Sequence, residues 1–155
     1  MSNVKGLTLK ALNEHHASQV LALEVAVFDE PWAERSIQNQ LKHCRSFNCG
    51  LFDGQEQLLA YAAFSVLLDE SELYRLAVHP SLRRQGIARA FMLNLFEQLK
   101  EKDVTRCLLE VNENNVAAVG LYEQLGFTVD GVRKGYYDGP EGPENAKLMT
   151  CVFSA

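Results

Sequence analysis

The stretch Leu73-Tyr74-Arg75-Leu76-Ala77-Val78-His79-Pro80-Ser81-Leu82-Arg83-Arg84-Gln85-Gly86-Ile87-Ala88 decides the fold. Its first part alternates as a strand does, His79-Pro80 turns the chain, and a compact basic loop opens directly into a helical pattern. Such a junction gathers backbone N–H groups and a helix N-terminus around one point, a ready seat for a phosphate or diphosphate. Gly86 supplies conformational freedom, and Ala88 is small enough for a ligand to approach the backbone. The loop therefore predicts a phosphorylated cofactor.

Downstream, Ala88, Phe91, Met92, Leu95, Phe96 and Leu99 fall at helical spacing, on a helix ending near Lys102. Arg106 to Asn112 reads as a strand. Asn115 to Leu125 reads as a helix stopped by Gly126. Phe127 to Tyr137 and Lys147 to Phe153 read as the last strands, separated by a Gly- and Pro-rich loop. Upstream, Leu7, Leu9 and Ala11 alternate as a first strand. Asn13 can cap a helix over roughly Glu14 to Phe28, with Ala17, Val20, Leu21, Glu24 and Phe28 along one side. Pro31 breaks that helix and a second covers Ala33 to Lys42. Phe47 to Phe52 and Leu58 to Leu68 are strands joined by a hairpin at Asp53-Gly54. The order β-α-α-β-β-β-α-β-α-β-β predicts a mixed α/β (α+β) sandwich, not a regularly alternating doubly wound sheet.

Composition narrows the function classes. At 155 residues, 47% hydrophobic and 23% charged, the chain (1–155) is expected to form one globular domain. No segment approaches the ~20 apolar residues of a membrane span, and Met1 to Gly6 lacks the apolar core of a signal peptide; a cytoplasmic location without membrane contact is expected. Cys44, Cys49, Cys107 and Cys151 show no C-x-x-C spacing; two lie in apolar runs, which favours buried thiols over disulfides. A net charge of −5 argues against nucleic acid as a direct partner. Positive charge is concentrated at Arg83, Arg84 and Arg89. Acid collects at Asp29-Glu30, Asp69-Glu70-Glu72 and Asp138 to Glu144; near a groove it would favour a cationic substrate, elsewhere it is a solvated surface. His15, His16, His43 and His79 show no metal-ligand spacing, so no metal is expected.

Three features carry chemistry. The basic loop is neither G-x-x-x-x-G-K-[ST] nor G-x-G-x-x-G, which weighs against an ATPase and a dinucleotide enzyme. Glu110 interrupts the apolar run Cys107, Leu108, Leu109, Val111. If Leu109 and Val111 face one side, Glu110 faces the other with Leu108. There it is either a base whose pKa an apolar cleft pushes up or a solvent-facing edge-strand carboxylate. Third, Asn115 to Phe127 carries small residues at Ala117, Ala118 and Gly120. Asn115 can cap the helix or reach a ligand amide, and Tyr122 stands two turns along the same face. That phenol can donate a proton to a leaving group or simply pack as an amphipathic tyrosine.

Together these motifs resemble the GCN5-related N-acetyltransferase (GNAT) family. Arg83-Arg84-Gln85-Gly86-Ile87-Ala88 matches its [QR]-x-x-G-x-[GA] signature, Arg75 to Pro80 looks like its fourth strand, and Asn115 to Phe127 looks like its N-x-x-A-x-x-L-Y-x-x-x-G-F motif. The resemblance spans essentially the whole chain. It implies a mixed sheet of six to seven strands with about four helices and a cleft for acetyl-CoA between two splayed strands. The backbone of Leu76, Ala77 and Val78 would pair with the pantetheine amides, N–H groups from Arg83, Arg84, Gln85, Gly86, Ile87 and Ala88 would hold the diphosphate, and Asn115 would meet the cofactor arm. Glu110 would be the base and Tyr122 the acid of a direct transfer.

Within the family, Phe28 to Trp32, Leu108 to Val111, Ala118 to Phe127 and Arg133 to Tyr137 are similar to members that acetylate the N-terminal alanine of ribosomal small-subunit protein eighteen. That implies a protein N-terminus, a basic ribosomal tail, as partner, with Trp32, Tyr136 and Tyr137 as groove walls or, for Trp32, core. Asp29-Glu30 departs toward more acid than is usual there. Another protein N-terminus, a polyamine or an amino sugar would use the same fold. A non-catalytic acetyl-CoA-binding module would need neither Glu110 nor Tyr122.

Overall fold

Lys5 and Gly6 both take positive φ (50° and 88°), and this two-residue reversal pairs β1 (Ser2–Val4) with β2 (Leu7–Ala11). The computed structural model describes residues 2–154. After β2 come α1 (Ala17–Val27), α2 (Glu34–Lys42), β3 (Ser46–Phe52), β4 (Leu58–Leu67), β5 (Glu70–Val78), α3 (Ile87–Glu101), β6 (Arg106–Asn112), α4 (Val116–Gln124), β7 (Thr128–Gly139) and β8 (Gly142–Val152). The strands form one sheet in the order β1-β2-β3-β4-β5-β6-β8-β7. Every pairing is antiparallel except β5 with β6, the one pair that α3 joins by a crossover.

Alternation along the strands builds a core on each face. On one, Leu9, Leu51, Ala62, Phe64, Leu109 and Met149 meet Phe91, Met92, Leu95 and Leu99 of α3 and Val119 of α4. On the other, Tyr61, Ala63 and Ala77 meet Val20 and Leu23 of α1 and Ile37 and Leu41 of α2. The mixed α/β fold agrees with expectation, with eight strands where six to seven were implied. The extra one is β1, too short at three residues to show a period.

Two local expectations need correction. Asn13 does cap, accepting from the His15 N–H at 2.9 Å, but Glu14–His16 winds as a 3-10 turn before α1 begins at Ala17. There the His16 ring nitrogen accepts the Asn13 N–H at 3.0 Å. The Gly- and Pro-rich segment is not a long loop. β7 and β8 continue to a tight reversal at Gly139↔Gly142, because cross-strand pairing outweighs the local preference of these residues for turns. All four cysteines are free thiols, with Cys49, Cys107 and Cys151 buried and Cys44 exposed.

Candidate functional site

β5 and β6 pair only from Glu70↔Arg106 to Leu73↔Leu109 and then part. The cause lies on the other edge of β5. Against β4, Ala63 pairs with Arg75 and Phe64 with Leu73, so Tyr74 is the extra residue of a bulge. A bulge bends its strand and re-aims the residues past it. Beyond Tyr74, the β6-facing edge at Leu76, Ala77 and Val78 has no strand partner. Such an edge accepts an extended, amide-bearing ligand as an added strand.

Past β5, Pro80–Leu82 makes a 3-10 turn whose Ser81 N–H donates to the His79 ring at 3.1 Å. Arg84 (φ 65°) and Gly86 (φ 72°) then take left-handed backbone, which turns successive N–H groups toward one side as a nest. Among the described residues, no backbone hydrogen bond is donated by Arg84, Gln85 or Gly86. The bond from the Ala90 N–H to the Gly86 carbonyl (3.1 Å) opens α3, so the first-turn donors Ile87, Ala88 and Arg89 have no carbonyl of their own helix. Free N–H donors here and an unpaired strand edge beside them are what a diphosphate and a pantetheine arm require, so these residues fit acetyl-CoA. Asn115 is the N-cap of α4, its Oδ1 accepting from the Ala118 N–H at 3.2 Å, which leaves its Nδ2 amide to face a ligand.

Glu110 follows Leu109, the last β6 residue paired with β5, and Tyr122 packs on the opposite face of the sheet. Leu109, Val111 and Tyr122 belong to one core, so alternation turns Glu110 to the other face, with Leu108. Of the two settings the sequence left open for Glu110, an apolar cleft or a solvent-facing side, the structure has the second. Its side chain is 32% exposed and pairs with the Arg133 Nη1 at 3.1 Å. Arg133 reaches it from β7 over the intervening strand β8. The carboxylate with a raised pKa is instead Glu72, through burial first and then the nearby charges of Glu110 and Glu70. Sequence reading placed Glu72 only in an acidic cluster; its standing near Glu110 follows from the Glu72↔Leu108 register. Tyr122 is buried, and burial pushes its pKa up to about 12. It makes no hydrogen bond among the described residues, and none of their buried side-chain N or O atoms lacks a partner, so its hydroxyl meets solvent.

An aromatic rim stands around Glu110. β7 breaks register between Arg133 and Tyr137, with Gly135 at φ 63°. The break sets Tyr136 and Tyr137 edge to face at 5.0 Å and lays the Arg133 guanidinium 4.1 Å from the Tyr136 ring. Burial raises the Tyr137 pKa, and Glu110 raises it further. On the same face, a groove of about 330 Å³ is lined in part by Glu70, Glu72 and Tyr74. It adjoins, through His43 and Tyr74, a hollow of about 460 Å³ that includes Trp32.

The Phe28 to Trp32 segment is fixed by Glu24, which is fully buried. Glu24 accepts from the Trp32 N–H (2.7 Å), from Arg75 Nε (2.9 Å) and Nη2 (2.8 Å), and from the Tyr61 hydroxyl. Burial pushes its pKa up, but these donors together outweigh it and hold the pKa below the ordinary value. Arg75 also lies 3.7 Å from the Phe28 ring and donates to the Glu30 carbonyl at 3.1 Å. No group of three His, Cys, Asp or Glu residues suited to a metal occurs among the described residues.

Residues 14–127 match the model of the acetyltransferase (GNAT) family. The chain is 35% identical over 125 residues to the [ribosomal protein bS18]-alanine N-acetyltransferase of Escherichia coli strain K12, covering 80% of this chain and 82% of that one. It is 31% identical over 146 residues to the enzyme of the same name from Haemophilus ducreyi, covering 94% and 99%. The crystal structure of the ribosomal-protein-S18-alanine N-acetyltransferase from Escherichia coli superposes with a TM-score of 0.90 at 32% identity, over 96% of this chain and 95% of that one.

Proposed function

The chain belongs to the acetyltransferase (GNAT) family and is an acetyl-CoA-dependent N-acetyltransferase; on that premise we propose that it acetylates the α-amino group of an N-terminal alanine, that of ribosomal protein bS18. The observation that supports the reading is the opening where β5 and β6 part after Leu73↔Leu109, in a chain so similar to bS18-alanine acetyltransferases.

Acetyl-CoA supplies an acetyl group activated as a thioester. The edge at Leu76, Ala77 and Val78 holds the pantetheine amides, the N–H groups from Arg83 to Ala88 hold the diphosphate, and Asn115 meets the arm. The incoming α-amino group has a pKa of ~8 and arrives mostly protonated. Glu110, which pairs with Arg133, takes its proton directly or through water. Tyr122, protonated at neutral pH with its pKa pushed up to about 12, gives its proton to the departing thiolate. Trp32, Tyr136 and Tyr137 wall the peptide groove. Its carboxylates Glu70, Glu72 and Glu110 suit the ammonium and the basic residues of a ribosomal tail. Residues 1–155 act as one catalytic domain in the cytoplasm.

Positioned acid–base groups contribute ~100- to 10,000-fold to rate. Glu110→Gln and Tyr122→Phe should each lower kcat by at least ~100-fold with CoA affinity within about twofold of the parent. Steady-state kinetics with calorimetric CoA binding checks this. Loss of binding in step with turnover would remove the acid and base roles.

A further inference from the structure

The cofactor loop is touched from a distant part of the chain. The Lys5 ammonium, at the tip of the β1–β2 hairpin, donates to the Gln85 carbonyl at 2.9 Å. A Cβ built on Gly86 would meet the same ammonium nitrogen at 3.1 Å. No cis peptide occurs among the described residues, and in a trans peptide the C=O and the following N–H point opposite ways. With the Gln85 carbonyl held toward Lys5, the Gly86 N–H is therefore aimed away from the hairpin. That N–H has no acceptor among the described residues. We propose that Lys5 is a positioning residue for the diphosphate site: it locks the Gln85–Gly86 peptide so that the Gly86 N–H faces the cofactor.

A second observation supports the lock. Lys5 holds φ 50° in a turn whose first position favours Asn, Asp or Gly. A long cationic side chain at such a backbone position is retained against local preference, which points to a task for its ammonium. A charge on the carbonyl also polarises the peptide and strengthens its N–H as a donor. Lys5 is exposed, so its loss should leave the core intact.

The inference rests on the reading that residues 83–88 hold the diphosphate. Its test is calorimetric titration of CoA into the parent, Lys5→Ala, Lys5→Arg and Lys5→Asn, at about 50 mM and about 500 mM salt, the range over which exposed charges become screened. Lys5→Asn suits the turn but is too short to reach Gln85. We expect Kd to rise about tenfold in Lys5→Ala and Lys5→Asn, as for loss of a charge-assisted hydrogen bond, and to recover in Lys5→Arg. The ratio to the parent should survive high salt, because a local clamp is not screened as a distant charge is. KM for S-acetylpantetheine, which lacks the diphosphate, should not change. Unaltered Kd in Lys5→Asn, a ratio that salt erases, or an equal loss with S-acetylpantetheine would overturn the lock. A parent that does not bind CoA would overturn the diphosphate reading with it.

Discussion

Glu24 keeps a charge where no water reaches it, because four donors converge on it. Its lowered pKa fixes the sign of a pH effect. The stabilisation is present above the ordinary value of about 4.5 and is lost as pH falls through the lower folded value. Glu24→Gln leaves Arg75 without its counter-charge, and breaking such a pair costs about 3–5 kcal/mol. Thermal melts should show a large gap between parent and variant at pH 7 that narrows below pH ~4.5. Glu72 has the opposite sign, since burial and like charges raise its pKa. Glu72→Gln should melt at or above the parent at pH 7, an advantage that vanishes in acid. Cys49 and Cys107 are pushed up to about 12 by burial, whereas Cys44 is exposed. A thiol reagent on the native protein should modify Cys44 fast and the others only on unfolding, read by intact mass. Glu24 was half legible in the sequence: it falls on the apolar side of its helix, but the partner that permits this, Arg75, lies 51 residues away. Glu110 was legible as a charge in an apolar strand, yet its pairing with Arg133 was not, because that contact spans a strand order that no local period encodes.

At the level of elements, two irregularities place the site. The bulge at Tyr74 parts β5 from β6, and the register break near Gly135 presents Tyr136 and Tyr137. Neither could be read in advance, since a bulge is a property of pairing and alternation through Leu73 to Val78 looks unbroken. The loop itself was legible, because Gly86 and the apolar helix after it mark the junction from composition alone. Gly86 holds φ 72°, where a Cβ costs ~1–2 kcal/mol. Gly86→Ala should weaken CoA binding by about tenfold or more, measured by calorimetry, with a smaller effect on the melt. The helices and long strands were legible for the opposite reason to the bulges: α3 and β6 bury one face each, and that burial is written as a period.

For the molecule as a whole, the electrostatics divide into two halves. Arg83, Arg84 and Arg89 lie in or next to the loop that we assign to the cofactor's phosphates, while Glu70, Glu72 and Glu110 lie toward the groove that we assign to the acceptor. A net charge of −5 hides this division, which the fold creates by bringing residues 70–72 and 110 together. KM for a basic peptide should therefore rise severalfold between about 50 and 300 mM salt, more than KM for a neutral peptide of the same first residue, as initial rates would show. The central claim is the identity of the acceptor, and intact-mass measurement of acetyl transfer tests it most directly. The peptides would be the alanine-starting bS18 N-terminus, its N-terminally blocked copy and copies with other first residues, alongside polyamines and amino sugars. We expect one added acetyl group on the free alanine peptide and none on the blocked copy; preferential transfer to another first residue or to a small amine would contradict the assignment.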